Sequence, residues 1–546
     1  MDNFWKQLFS KLYDPGSSLQ NRFSLGDRKQ TSSAVPDDAL SPLRLLEDLD
    51  ENVKVFRLLF SAHKNHDFIT RNFNLTFTDG SIATGYLLFL KGVSDQAKIE
   101  NLVLKPLIQS RIDPCSPLFE TVLSTVLLAP LYSECNDIDG VKRAITMGKV
   151  AILLPMEGRA ILIDSGLKVG RNVENAQNER TIFGPHEGFT ESLEINSALI
   201  RNYIRSEHLV AEYIMHQNLN QTSTGVFYLE NLTNSKLVEE VKRRIQSIKI
   251  DFLLPTGVLQ QLLEDEPKSL IPTLSVTERP DRAAGMLLDG HVIVMAERSP
   301  FALICPTTLW TLIGTSDDVF LRTHYSNFIR LIRLLAIFFA LLTPGIYIAL
   351  TNYQPEMIPT DLMLHIAGSR ETLPFPSFLE VLIMEISFEL IREAGIRIPV
   401  VIGSTIGIVG ALILGQAAVQ ANIISPLLVI TVSITGLGSF AIPNQDLSFA
   451  VRIGRFIFFI LGSTLGFFGI SYGMVFLLAY LASHQSFGVP FMAPMYPRMK
   501  ANFDFIFRGF LWKQSHYGQH TRPKLQERSP QKVTNWLRSR YTREEP

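Results

Sequence analysis

The chain has 546 residues, is 46% hydrophobic and 19% charged, and carries a formal net charge of −1, with a mean hydropathy of +0.16. A charged fraction below the roughly 25% of an average soluble domain, together with positive hydropathy, excludes a mainly disordered chain and places part of it outside water. The three cysteines, Cys115, Cys135 and Cys305, lack metal-type spacing, so neither a disulfide framework nor a zinc ribbon is expected.

In chain order, residues 1–14 hold one Lys before a short apolar patch and no small-residue cleavage site, so no signal peptide is expected. Residues 1–45 are expected as a flexible arm, since 15–40 are rich in Ser, Gln, Asp and Pro. An α/β region follows, in two small subdomains at 46–175 and 176–326. Residues 72–78 alternate, turn at Asp79-Gly80 and resume at 81–90, which predicts a β-hairpin. Residues 150–155 and 159–164, around Glu157-Gly158, predict a second. Apolar spacing predicts helices at about 95–108, 139–147, 190–204 with Thr190 as N-cap, and 235–248; strands are expected at 225–230 and 290–295.

Enzyme signatures are missing from this half. Gly148-Lys149 is followed by Val150, where a phosphate-binding loop needs Ser or Thr for magnesium, and His186-Glu187 lacks the second histidine of a zinc protease. His63 and His66 have no third partner at metal spacing and are expected at the surface. No cofactor and no metal are expected.

The membrane domain is expected at 327–497, with about five or six helical segments. Residues 334–350 carry no charge over 17 residues, enough to approach the span of about 30 Å of hydrocarbon. Residues 398–445 hold 48 residues without a charge; one helix would be roughly 70 Å long, so the run must fold back, with Pro426 opening its second helix. The run 456–497 is either one long tilted helix followed by a proline-rich end or a pair bent around 469–473.

Between these runs, residues 378–391 are apolar except for Ser387 and three acids, Glu380, Glu385 and Glu389. Glu385, Glu389 and Arg392 fall on one helical stripe. An acid at the bilayer centre costs about 2.5–3.5 kcal/mol on insertion scales, more than the apolar residues of this segment return for three of them. The stripe must therefore be sheltered. Either its acids pair with Arg392 and Arg397 in an interfacial elbow, or they face a cation pathway. Gly403-x-x-x-Gly407 and Gly462-x-x-x-Gly466 predict close helix packing.

Basic residues set the orientation. Arg330 and Arg333, Arg392 and Arg397, and Arg452 and Arg455 each precede an apolar run, whereas 351–377 carries Glu356, Asp361 and Glu371 against Arg370. This puts the large N-terminal region in the cytoplasm. The tail, 498–546, has eleven Lys/Arg against four acids, a net +7. It is expected in the cytoplasm, either touching anionic lipid or as a solvated end.

Several strings resemble the GerA family, the A subunits of spore germinant receptors: GPHEGFTESL at 184–193, ERPD at 278–281, PFP at 374–376, the stretch 379–399, GQAAVQ at 415–420, SFAIPN at 439–444 and SFGVP at 486–490. The resemblance runs from about 50 to 498 in the same order. It implies a non-enzymatic multi-pass protein of the spore inner membrane that assembles with a transporter-like B subunit and a lipoprotein C subunit. It also implies a response to small nutrients, and homo-oligomerisation of A subunits through the membrane domain into a ligand-gated ion channel. Membrane lipid is an expected partner and nucleic acid is not. In that setting Glu380, Glu385, Glu389 and Arg392 are candidates for an ion pathway or its gate. Glu278, Arg279 and Asp281 are candidates for a subunit contact, with a local clamp as the other option. A non-conducting scaffold that relays the nutrient signal is the alternative.

Overall fold

The protein is described from a computed structural model, covering residues 44–127, 131–167, 175–216, 221–250, 256–397, 415–497, 499, 506–510, 514 and 516–528. The expected arm up to residue 43, Gly403 and Gly407, and the tail beyond 528 lie outside the described residues.

Both hairpins form. Strand β1 (Phe68–Phe77) runs antiparallel to β2 (Ile82–Leu90), from Phe68 opposite Leu90 to Thr76 opposite Ile82. Between them Gly80 takes φ +84°, and the Asp79 carboxylate accepts from the Ser81 amide at 2.9 Å. With β3 (Arg111–Ile112), β4 (Tyr132–Cys135), β5 (Lys149–Leu153) and β6 (Ala160–Asp164) they make a six-stranded sheet of order β3-β1-β2-β5-β6-β4. Because successive side chains leave opposite faces, Leu87 and Phe89 enter one core and Leu88 and Leu90 the other. The first core is closed by helical segments at 96–109 and 118–126. The second is closed by α1 (Leu49–Leu59) and α2 (Ile138–Thr146).

A second, fully antiparallel sheet has order β7-β8-β10-β11-β9, built from β7 (Leu209–Met215), β8 (Ser223–Leu229), β9 (Ser275–Thr277), β10 (Val292–Ala296) and β11 (Ala302–Cys305). Helices α3 (Leu193–Tyr203) and α6 (Pro280–Leu287) cover one face. Helices α4 (Ser235–Ser247) and α5 (Thr256–Leu263) cover the other. The N-cap of α3 is Ser192 rather than Thr190, which instead receives and returns hydrogen bonds with the Asn196 amide. A buried ion pair joins the two sheets: Arg201 on α3 donates to Asp67 at 2.8 Å, and Asn65, Ser197 and Tyr213 complete the ring of partners.

The apolar half begins at α7 (Thr323–Asn352), a 30-residue helix that keeps Pro344 inside it. Then come α8 (Thr360–Glu371), α9 (Ser377–Arg397), α10 (Pro426–Phe440) and α11 (Gln445–Ser483). Two of these, α7 and α11, are long and apolar enough to cross a bilayer.

Helix α11 is not straight. Gly466 sits at φ +60°, ψ −142°, outside helical geometry. A Cβ on Gly473 would lie 2.7 Å from the Leu461 side chain and 3.0 Å from that of Phe458. In one straight helix residues 458 and 473 stand about 22 Å apart. The chain therefore reverses at Gly466 and forms two antiparallel arms. Their ends return to the same place: Asp446 accepts from Gln260 at 3.1 Å, and His484 pairs with Ser269 at 2.9 Å. The bend lies three residues before the expected 469–473 because Gly466 alone supplies the left-handed step. The carbonyl of Gly345 in α7 lies 2.6 Å from where a Gly462 Cβ would stand, so the predicted small residue marks a backbone-to-backbone crossing.

Part of the tail is packed rather than solvated. Tyr517 and Leu525 join the core under α3 and α6, Lys524 donates its amide to Leu232 O at 2.8 Å, and Arg528 pairs with Asp289. The expectation of a free or lipid-bound tail fails for 516–528, because its apolar residues and backbone donors find partners on the second sheet.

Candidate functional site

Helix α9 carries its charges on one face because Glu385, Glu389 and Arg392 recur at four and three residues. That face meets the first arm of α11, where Arg452 and Arg455 project on one side. Arg455 Nη2 lies 2.6 Å from Glu389 Oε1, and Arg452 grips the same carboxylate with Nε at 3.1 Å and with Nη2. Arg455 Nη2 also stands 3.1 Å from Glu385 Oε2, without the alignment of a hydrogen bond. Arg392 Nη1 is 3.9 Å from Glu389, and its Nη2 donates to the Ser439 hydroxyl on α10.

The inner part of the cluster is buried, while Glu389 and Arg452 stay 19% and 18% exposed. Arg455 is 1% exposed and Glu385 2% exposed. Aromatic faces wall it: Arg392 lies over Phe440 at 4.1 Å, Arg452 over Phe449 at 5.3 Å and Arg455 over Phe456 at 5.5 Å. Two carboxylates face three guanidiniums. Several polar atoms there have no hydrogen-bond partner: both Glu385 oxygens, Arg455 Nε and Nη1, and Arg392 Nη1.

The predicted stripe is thus sheltered, but by arginines of α11 that sequence reading treated only as orientation markers. Their signal was the i, i+3 pair of charges opening an apolar run. Glu380 is buried earlier on α9 and forms no ion pair with a described residue. Ser439 and Asn444 of the SFAIPN string act at the same corner, Asn444 capping α11 by accepting from the Leu447 amide at 2.9 Å.

The ERPD residues form an internal clamp. Arg279, 1% exposed, forks onto Asp281 at 3.0 and 2.7 Å and reaches Glu179 O, Thr181 Oγ1 and Pro185 O. Glu278 accepts from the amides of Gln177 and Asn178 at 2.9 and 3.0 Å. Together they tie the GPHEGF loop to α6. Glu278 and Arg279 are buried in this clamp, and Asp281 is 10% exposed.

At the foot of α7, fully buried Asp318 accepts from Arg330 at 2.9 Å and Arg333 at 2.9 and 3.0 Å, while Arg508 donates to Asp318 O and Leu321 O. This knot joins the segment 317–321, which follows the second sheet, to the first apolar helix and the tail. Among the described residues no group of three side chains is placed to hold a metal ion.

Residues 57–524 match the family described as the Bacillus/Clostridium GerA spore germination protein, so the match extends into the packed part of the tail. The chain is 35% identical over 480 residues to the uncharacterized membrane protein YfkQ of Bacillus subtilis, covering 84% of this chain and 90% of that one. It is 35% identical over 420 residues to spore germination protein KA of the same organism, covering 75% and 76%. With spore germination protein B1 of that organism it shares 33% over 453 residues, covering 83% and 92%. A crystal structure of the N-terminal domain of the A subunit of the Bacillus megaterium spore germinant receptor GerK3 aligns at 21% identity with a TM-score of 0.37, over 48% of this chain and 97% of that domain.

Proposed function

Since this chain belongs to the GerA spore germination family, we propose that it is a multi-pass membrane subunit of a nutrient receptor whose α9–α11 ion-pair cluster holds an ion path closed. Its role is in spore germination; no catalytic step is assigned to it. The observation that carries the proposal is the pairing of Glu385 and Glu389 with Arg452 and Arg455 inside an apolar bundle. Charges buried in such surroundings are costly unless paired, and paired charges on two helices make a contact with two discrete states, closed and broken.

The topology supports that role. Helix α7, the two arms of α11, and α9 with α10 account for most of the crossings, and the large α/β region with the returning tail occupies the cytoplasmic side. Coupling from the α/β region would pass through the Asp318 knot into α7, which crosses α11 at Gly345 and Gly462. A transporter-like B subunit and a lipoprotein C subunit would complete the receptor, with further copies of this chain beside it.

Ion release from spores carrying Glu385→Gln or Glu389→Gln at normal protein level tests the proposal. Altered nutrient dependence of release is expected, and release indistinguishable from the wild type removes these residues from the pathway. A relay that never conducts would also use the Asp318 knot, but it leaves the buried cluster without a task.

A further inference from the structure

Ile182 and Phe183, at the tip of the loop that the Arg279 clamp holds, are 79% and 59% exposed. The tip is placed rather than loose. The Ile182 amide donates to Asp317 Oδ1 at 3.2 Å. Gly184, at φ +123°, lies so close to the Phe320 ring that a Cβ there would stand 2.6 Å from it. Val319 and Phe320, both exposed, extend the same apolar surface. Its height follows from the neighbouring Asp318, which accepts from Arg330 and Arg333, the last charged residues before the uncharged run 334–350. The tip therefore stands where α7 enters its apolar stretch.

The charges around the tip are sorted. Glu179 turns inward to Arg282 and Thr277, and Glu187 accepts from Tyr203 at 3.1 Å. Asp317 is engaged by the Ile182 amide. Exposed Arg180 and His186 flank the tip with no acid between them. Adjacent bare Ile and Phe side chains are disfavoured against water, but they suit the lipid–water boundary, where apolar and aromatic groups sink to headgroup depth and cations meet lipid phosphates. We infer that Ile182 and Phe183 insert into the cytoplasmic leaflet beside the foot of α7, with Arg180 on lipid phosphate. This rests on the membrane placement proposed above. It also gives the Arg279 clamp a task, since a rigid loop fixes the height of the second sheet against the bilayer.

The test uses the purified full-length chain in vesicles of phosphatidylcholine with phosphatidylglycerol. Phe183→Cys, Met156→Cys and Phe339→Cys are each labelled with an environment-sensitive fluorophore, and the wild type, labelled at its own cysteines, gives the background. Met156 is exposed in a turn of the first α/β subdomain, and Phe339 is exposed on the apolar run of α7. Lipid carrying a headgroup nitroxide should quench the label at 183 about twofold more than the label at 156. A nitroxide deep in the acyl chains should quench the label at 339. Arg180→Gln should remove the extra quenching at 183 that phosphatidylglycerol gives over phosphatidylcholine alone. Ile182→Ser combined with Phe183→Ser should leave the melting midpoint in detergent unchanged, because both positions are exposed. Quenching at 339 with none at 183 would overturn the inference and leave the membrane placement standing, whereas no quenching at either would overturn both. A blue-shifted label at 183 that lipid nitroxides do not quench would also overturn it, because protein then covers the tip.

Discussion

Arg455 and Glu389 meet at 2.6 Å across the contact between α9 and α11, with Arg455 almost wholly buried. Removing Arg455 leaves the buried Glu385 without an ion-pair partner among the described residues, while Arg452 still holds Glu389. Arg455→Met alone should lower the stability of the detergent-solubilised chain by about 3–5 kcal/mol. Arg455→Met combined with Glu389→Leu should cost clearly less than the sum, which a double-mutant cycle on chemical denaturation would read.

The reversal at Gly466 and the crossing at Gly462 give a second expectation. A methyl at 462 meets the Gly345 carbonyl oxygen at 2.6 Å, and backbone cannot move aside as a side chain does. Gly462→Ala should destabilise the membrane half by about 1–3 kcal/mol through overpacking. Gly466→Ala should act through its positive φ instead. Midpoints of thermal unfolding, compared with Gly285→Ala, where nothing lies within 4 Å of the added Cβ, would separate the two from a general effect.

Arg279→Ala deletes five side-chain hydrogen bonds, three that fasten residues 179–185 and two to Asp281 on α6. Hydrogen exchange should rise sharply in 177–187 while β8 and β10 keep their protection. If a partner subunit docks on that loop, co-purification should fall in the same variant.

The packed tail predicts a pH response. His291, just before β10, is buried, and the ring of partly buried His520 on the tail has its centroid 5.6 Å away. Burial, and for His291 also the neighbouring His520, pushes His291 down to about 3; burial pushes His520 down to about 4. The folded state thus refuses protons that the unfolded chain accepts below about 6.5. The stabilisation is complete above that value and is lost as pH falls from about 6.5 towards 4. The charged groups around the pair are Asp289, Arg522, Lys524, Arg528 and Glu230. Exchange in 516–528, corrected for its intrinsic rate, should accelerate between pH 7 and 5, and His520→Leu should flatten that dependence.

Much of this architecture is written locally. Asp79-Gly80 and Glu157-Gly158 mark hairpins because turn residues sit between apolar runs, and the stripe at 385, 389 and 392 follows from helical periodicity alone. What periodicity does not encode is which distant element meets which. Arg452 and Arg455 lie more than sixty residues from Glu389, and Asp67 more than a hundred from Arg201, so those pairs emerge only from the fold. Strands β9 and β11 carry no readable signal because they are only three and four residues long, too short for a period to show. The charge of the tail describes its composition, whereas Tyr517, Thr521 and Leu525 decide where it packs.

Reconstitution of the full-length chain into liposomes tests the central claim most directly. With monovalent-ion flux as the readout, the wild type should be tight and Glu389→Gln or Arg455→Met should leak, because the lock between α9 and α11 is broken. Vesicles that stay impermeable with every variant, while the protein remains folded and inserted, would contradict the account.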